Sequence, residues 1–182
     1  ETGINKFEKD VKAWVHFDKK LLLEKAEEAD QHRRSGKPTG PLHGIPVALK
    51  DIIGTVDMPT ECGTPIRKGK SYSQNAEIVD LLLSAGAIIM GKTATSELAY
   101  LGPSKTTNPH DNSRTPGGSS SGSAASVGSF MAPLSIGSQT GGSVIRPASY
   151  CGVVGYKPSY GLISRNGVLK TSEKLDHMGV FG

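Results

Sequence analysis

The first third of the chain shows two different hydrophobic periods. Apolar and polar residues alternate over positions 11–17, a period of two that predicts a half-buried strand. The sequence LLLEKAEEADQHRR follows, with Asp18 at the position expected for a helix N-cap and Ser35-Gly36 at its end. The pattern therefore predicts a strand and then a helix before the first loop.

The middle of the chain predicts two further strands around a helix. The segment IPVALKDII, residues 45–53, is apolar except at Lys50 and Asp51, which is typical of a buried strand. After a loop rich in proline and glycine, AEIVDLLLSAG predicts a helix that stops at Gly86, and AIIM predicts a short strand. Another helix is predicted from TSEL, with Thr95 at its cap position.

Small residues dominate the later elements. SGSAASVGSFMA, residues 121–132, predicts a helix, LSIGS predicts a short strand, and GGSVIRPAS predicts a turn that leads into another helix. Strands thus alternate with helices along the chain. This order predicts an α/β fold in which helices flank a mixed, mostly parallel sheet.

Composition and charge exclude several classes of protein. With 182 residues, 36% hydrophobic and 21% charged, the chain has the size and composition of a single globular domain. A net charge of +4, spread along the chain, disfavours a nucleic-acid surface, and no apolar run reaches the ~18 residues that a membrane span needs. The two cysteines match neither a metal site nor a disulfide framework. We therefore expect a cytoplasmic protein that binds neither membrane nor nucleic acid.

The stretch GAIIMGKT, residues 86–93, formally matches a phosphate-binding loop. Such a loop needs a strand, then a flexible segment whose N–H groups wrap phosphates, then a helix. Here a helix precedes the motif, and its inner residues Ala-Ile-Ile-Met predict a strand instead of a loop. Nucleotide binding is therefore rejected.

The Gly- and Ser-rich stretch PGGSSSGSAAS, residues 116–126, has the composition of a flexible linker. It passes directly into VGSFMAPLSIGS, which is apolar and carries no charge. A linker would also need a domain on each side, and little of the chain follows. The stretch is therefore interpreted as part of a folded site.

The neighbouring stretch QTGGSVIRPAS, residues 139–149, has the features of an acyl-transfer site. Two glycines let the backbone turn so that several N–H groups face one oxyanion. Ser143 follows these glycines at a predicted helix start, where it resembles a nucleophile beside its own oxyanion hole. Its base is not local, because no histidine lies within 25 residues on either side of the stretch.

Two kinds of base are open to Ser143. A histidine can fold back from elsewhere, since sequence distance does not exclude a Ser-His pair. The candidates are His16, His32, His43, His110 and His177. Lys50 is the stronger candidate, because it interrupts an apolar strand and burial shifts a lysine toward its neutral form. Asp51 would point to the opposite face of that strand and is a poor partner, so a salt-bridged core lysine is the weaker alternative.

Longer motifs connect these residues. PLHGIPVALKDII, GGSSSGSAAS, GSQTGGS and RPASYCGVVGYKPSYG occur in this order and together resemble the amidase signature family. The resemblance implies hydrolysis of a carboxylic amide C–N bond through an acyl-enzyme, with a small-molecule amide as substrate and without metal or cofactor. It leaves a homodimer open. It also implies that residues 1–182 are a fragment of a single amidase signature domain, truncated at both ends.

The resemblance also implies a Ser-cisSer-Lys triad. Lys50, the lysine of HGIPVALKD, would be the base. Ser119, the first serine after two glycines, would follow a cis peptide bond and relay the proton of the nucleophile Ser143. The implied oxyanion hole consists of the N–H groups of Thr140, Gly141, Gly142 and Ser143.

Two positions depart from the family pattern. Gln139 stands where the family commonly has Asp, and Arg146 stands third after the nucleophile, where an arginine at the second position is common. The usual Asp–Arg support behind the oxyanion loop is therefore in question.

Two alternatives to a simple amidase are the amidase subunit of a glutamyl/aspartyl-tRNA amidotransferase, which passes ammonia to a partner protein, and a non-catalytic binding domain. The intact triad disfavours the second.

Overall fold

The fold is built on a sheet of six strands, seen in a computed structural model that describes residues 2–182. The strands are β1 (Trp14–Phe17), β2 (Pro46–Lys50), β3 (Ile88–Thr93), β4 (Leu134–Gln139), β5 (Gly155–Tyr156) and β6 (His177–Phe181). They lie in the order β1, β3, β2, β4, β6, β5. β2 pairs in parallel with β3 and β4, whereas the outer pairings are antiparallel. The expected mixed sheet is confirmed, with its parallel part at the centre.

The helices flank this sheet, as an α/β fold predicts. They are α1 (Thr2–Val11), α2 (Lys19–Arg34), α3 (Glu77–Ser84), α4 (Ser121–Gly128) and α5 (Ile145–Cys151). Short 3₁₀ turns occur at Pro65–Arg67 and Glu97–Ala99. Among the described residues, no helix combines the length and the apolar character that crossing a membrane requires.

Two helix predictions are confirmed down to their ends. The carboxylate of Asp18 accepts a hydrogen bond from the N–H of Leu21 at 3.0 Å and so caps α2, which ends before Ser35. Gly86 follows α3 with φ of +88°, a left-handed conformation that favours glycine and stops a helix. The rejected phosphate-loop motif accordingly falls on the end of this helix and on β3.

The alternation over residues 11–17 predicted one strand, and this prediction was wrong for residues 11–13. Val11 is the last residue of α1, and the strand starts only at Trp14. The carboxylate of Glu8 accepts the N–H groups of Ala13 and Trp14 at 2.9 and 3.0 Å, so the turn between helix and strand is hydrogen-bonded to the helix itself. Val11 and Ala13 are both buried, which gives the alternation without a continuous strand.

The helix predicted from TSEL was also wrong. The segment forms one 3₁₀ turn, Glu97–Ala99, and its cap position is Ser96, not Thr95. Leu98 has φ of +50°, which no α-helix tolerates, and its N–H donates to the carbonyl of Cys62 at 2.8 Å. A contact with a distant loop therefore overrides the local helix signal.

Two other elements are shorter than predicted. β2 ends at Lys50, because the N–H groups of Ile52 and Ile53 both bond to the Lys50 carbonyl and turn the chain away. α4 ends at Gly128, and Phe130 beyond it has φ of +58°. Lys50 is thus the terminal residue of a central strand.

Side chains of β2 alternate between two packed faces. Val47 and Leu49 belong to a core cluster that includes Val79 of α3, whereas Ala48 belongs to another cluster. Because alternate residues of a strand share a face, Lys50 lies on the face of Ala48. α4 contacts β2 and its neighbours β3 and β4.

Small residues let α4 approach the sheet closely. Residues 121–127 are all buried, and a Cβ at Gly122 would collide with the backbone of Ala13 and Ala94. The close approach places the segment before α4, which holds Ser119, next to the ends of β2 and β4. This explains in packing terms why the stretch is so rich in glycine and serine.

Candidate active site

Lys50 lies at the centre of the candidate site. Its side chain is fully buried, and its Nζ donates to Ser119 Oγ at 2.7 Å and to Ser138 Oγ at 2.9 Å. Within residues 2–182 it forms no ion pair. The structure thus brings Lys50 and Ser119 together, and it adds Ser138, a residue that the sequence interpretation missed.

The surroundings of Lys50 favour its neutral form. Burial lowers the pKa of Lys50 from 10.5 to about 7, while the negative charge of Asp176 opposes this shift. A lysine with this pKa is partly neutral at neutral pH. It can therefore accept a proton, which an ordinary surface lysine does poorly.

Asp51 does not interact with Lys50, although the two residues are adjacent. Its carboxylate lies 3.6 Å from Nζ of Lys92, a second buried lysine on β3. The prediction that Asp51 is a poor partner for Lys50 is therefore confirmed. The two buried lysines have separate partners.

Ser119 is buried immediately before α4, and the Gly118–Ser119 peptide bond is cis. The Ser119 carbonyl accepts the N–H of Ser96 at 3.0 Å. Arg146 of α5 binds the carbonyl of the cis peptide unit itself, since its Nε and Nη2 donate to the Gly118 oxygen at 3.1 and 2.6 Å. Hydrogen bonds from two elements thus fix the segment that presents the Ser119 hydroxyl to Lys50.

Ser143 is half-buried in the turn between β4 and α5, two residues before the helix begins. In the part of the chain that the structure describes, its hydroxyl makes no hydrogen bond, so no bond to Ser119 is present. The N–H groups of Gly141, Gly142 and Ser143 are likewise not donated to any described residue. A Cβ at Gly141 would meet nothing within 4 Å, so open space lies beside this turn.

Gln139 and Arg146, the two residues that depart from the family pattern, have different hydrogen-bond partners. Oε1 of Gln139 accepts the N–H groups of Val144 at 2.9 Å and Ile145 at 3.0 Å, and so holds the turn closed from inside. Arg146 instead binds the carbonyl of Gly118. A neutral amide and an arginine therefore support two different backbone segments of the site.

Thr140, the first residue of this turn, has a carboxylate partner. Its Oγ1 donates to Oδ1 of Asp176 at 2.5 Å. Asp176 is buried and directly precedes β6, in a segment that no motif marks, so the sequence interpretation missed it. Ser138 could have been found by the reasoning that found Lys50, because it is a polar residue within a mostly buried strand.

No histidine is hydrogen-bonded to Lys50, Ser119 or Ser143 among residues 2–182. The Nε2 atoms of His43 and His110 contact the carbonyls of Ala29 and Cys151 at 2.9 and 2.8 Å. The ring of His177 contacts the carbonyl of Leu175. Of the candidate bases, Lys50 is the one that the structure hydrogen-bonds to Ser119.

Several known proteins are similar to this chain in sequence and in fold. A family model described as Amidase matches residues 2–182. The chain is 46% identical over 182 residues to a glutamyl-tRNA(Gln) amidotransferase subunit of Natranaerobius thermophilus, covering 97% of this chain and 37% of that protein. Native peptide amidase from Stenotrophomonas maltophilia has a TM-score of 0.93 at 36% identity, covering 100% of this chain and 40% of that one. The corresponding amidotransferase subunit from Thermotoga maritima has a TM-score of 0.82 at 36% identity, covering 99% and 38%. The chain spans less than half the length of these relatives.

Proposed function

Because this chain belongs to the amidase family, we propose that it carries the catalytic centre of an amidase that hydrolyses a carboxylic amide C–N bond. Ser143 is the nucleophile, Ser119 the proton relay and Lys50 the base. The observation that carries the proposal is the buried contact of 2.7 Å between Lys50 Nζ and Ser119 Oγ, at a lysine whose pKa is lowered to about 7.

The reaction proceeds through an acyl-enzyme. Oγ of Ser143 attacks the amide carbonyl carbon, its proton moves to Ser119, and the Ser119 proton moves to neutral Lys50. When the C–N bond breaks, Lys50 returns a proton through Ser119 to the leaving nitrogen, so that ammonia or an amine departs. Water then attacks the ester carbonyl by the same relay, which releases the carboxylic acid and restores Ser143.

The turn at Thr140, Gly141, Gly142 and Ser143 stabilises the negative charge on the carbonyl oxygen. The N–H groups of Gly141, Gly142 and Ser143 have no acceptor among the described residues, so they need not give up another bond to bind an oxyanion. The space beside Gly141 leaves room for a substrate. Gln139 and Arg146 hold the two backbone segments in place and take no part in proton transfer.

A second candidate function is that of an amidotransferase component. The curated relative from Natranaerobius thermophilus, 46% identical, is named as a subunit of glutamyl-tRNA(Gln) amidotransferase. The same three residues would then release ammonia for use by a partner protein. Amide hydrolysis that requires such a partner would favour this function, whereas hydrolysis of simple aryl or aliphatic amides by the lone protein would favour the amidase.

Labelling with a fluorophosphonate probe tests the proposal. In the natural full-length protein we expect the probe to modify Ser143, and Ser143→Ala to abolish both labelling and amide hydrolysis, because the covalent route is lost. Ser149→Ala, at an exposed serine of α5, is the matched control and keeps both. Modification of a different serine, or normal turnover in Ser143→Ala, would refute the assignment.

A further inference from the structure

Asp176 is a buried carboxylate with an unusually complete set of donors. Its Oδ2 accepts the N–H groups of Thr171 and Ser172 at 2.7 and 2.9 Å, and its Oδ1 accepts the hydroxyl of Thr140 at 2.5 Å. Arg165 Nη1 lies 3.9 Å from Oδ2. A carboxylate held by this many donors stays in one orientation.

The hydrogen bond to Thr140 joins this carboxylate to the turn that precedes Ser143. Gln139 fixes the far end of the same turn through Val144 and Ile145. The turn is therefore held at both ends, while the N–H groups of its two glycines are not donated to any described residue. Removal of either anchor leaves the backbone N–H groups free to move.

Asp176 also acts on Lys50 through its charge. Its negative charge favours the charged form of Lys50 and opposes the effect of burial. Cys62, whose pKa is raised by burial, is the other titratable group that acts on Lys50. Among the described residues, Arg165 forms the ion pair with Asp176. A small cavity of about 10 Å³, room for roughly one water molecule, is lined by both Ser138 and Asp176. Asp176 is 7% exposed, so bulk water screens its carboxylate only weakly.

We propose that Asp176 is a positioning residue, which holds Thr140 and thereby the oxyanion-binding turn, and which sets the charge around Lys50. This inference rests on the proposed function. It assigns a role to the segment before β6 that connects the two halves of the site: the turn that binds the oxyanion and the lysine that takes the proton.

The test measures the rate at which a fluorophosphonate modifies Ser143 as a function of pH, in the natural full-length protein. Thr140→Val removes the hydrogen bond and keeps the charge; we expect labelling about tenfold slower at an unchanged pH midpoint, less than the loss of a whole oxyanion donor. Asp176→Asn removes the charge; we expect slower labelling and a midpoint below that of the wild type, because Lys50 loses a charge that favours its protonation. Glu173→Gln, at an exposed carboxylate 3.8 Å from Arg165, is the matched control and changes neither quantity.

The outcomes separate this inference from the function on which it rests. Wild-type rate and midpoint in both variants, with Ser143 still the labelled residue, would overturn the role of Asp176 and leave the amidase proposal standing. An unshifted midpoint in folded Asp176→Asn would overturn it as well. If Asp176→Asn does not fold, a wild-type labelling rate in Thr140→Val would overturn the role of Asp176. No labelling of Ser143 in the wild type would overturn both proposals.

Discussion

Two buried lysines lie on neighbouring parallel strands of the central sheet, and they differ in their partners. Lys50 ends β2 and Lys92 is in β3, where it pairs in register with Leu49. Both side chains are fully buried. Within residues 2–182, the Nζ of Lys50 donates only to the hydroxyls of Ser119 and Ser138. Lys92 donates to Thr60 Oγ1 at 2.6 Å and to the Pro59 carbonyl at 3.3 Å, and its Nζ lies 3.6 Å from a carboxylate oxygen of Asp51.

The partner decides what a buried lysine can do. Burial lowers the pKa of Lys92 to about 8 and that of Lys50 to about 7, and for Lys92 the adjacent carboxylate of Asp51 opposes this shift. A buried lysine with a carboxylate beside it serves as a structural cation. With only hydroxyl partners it can lose and regain a proton, as a base requires.

The largest expected effect is on activity, when each lysine in turn is replaced by arginine. Arginine keeps the positive charge but cannot lose its proton in a protein. We expect Lys50→Arg to lower kcat/KM by about a thousandfold, nearly as much as Lys50→Ala, because base catalysis is lost. Lys92→Arg should keep most of kcat/KM per folded molecule, since an arginine can still pair with Asp51. Steady-state kinetics on a simple amide, with circular dichroism to verify folding, measure both.

High activity in Lys50→Arg would end the assignment of Lys50 as base.

The next largest effect concerns stability. Lys92→Met leaves the Asp51 carboxylate buried without its cation, so we expect a loss of about 3 kcal/mol in the free energy of unfolding. Urea denaturation of the natural full-length protein measures it. Lys25→Met is the matched control, because Lys25 pairs with Glu28 at 2.8 Å on the surface and such pairs contribute less than about 1 kcal/mol. Equal losses in both variants would contradict a structural role specific to Lys92.

The smallest effect comes from giving Lys50 the kind of partner that Lys92 has. In the wild type, kcat/KM should rise with pH and level off above an apparent pKa of about 7, as Lys50 becomes neutral. Ser138→Asp places a carboxylate beside Lys50, which favours its charged form, raises its pKa and moves this rise to higher pH. We expect activity at pH 7 to fall about tenfold and to recover in alkaline solution.

Ser138→Asn has the same shape without the charge and is the control for Ser138→Asp. Its pH midpoint should stay at the wild-type value. A Ser138→Asp protein with an unshifted midpoint would mean that the ionisation of Lys50 does not govern the rate.

The local elements were largely determined by the sequence. The cap at Asp18, the stop at Gly86 and the buried strand that contains Lys50 each depend on residues close in the chain, so the pattern of neighbouring positions was sufficient to predict them. Lys50 itself stood out because a charged residue interrupts an apolar strand. The motifs of the amidase signature, and not the local pattern, pointed to Ser119 and its cis bond.

The tertiary structure decided which of these residues meet. Lys50 reaches Ser119 and Ser138 across 69 and 88 residues of chain, because β4 lies next to β2 and small residues bring α4 onto both. Asp176 reaches Thr140 across 36 residues because β6 pairs with β4. Strand order and the approach of a helix depend on the packing of the whole domain, which no short stretch of sequence encodes. The sequence alone therefore determined that Lys50, Ser119 and Ser143 are candidates for chemistry, and only the fold decided that Lys50 and Ser119 lie together with Ser138.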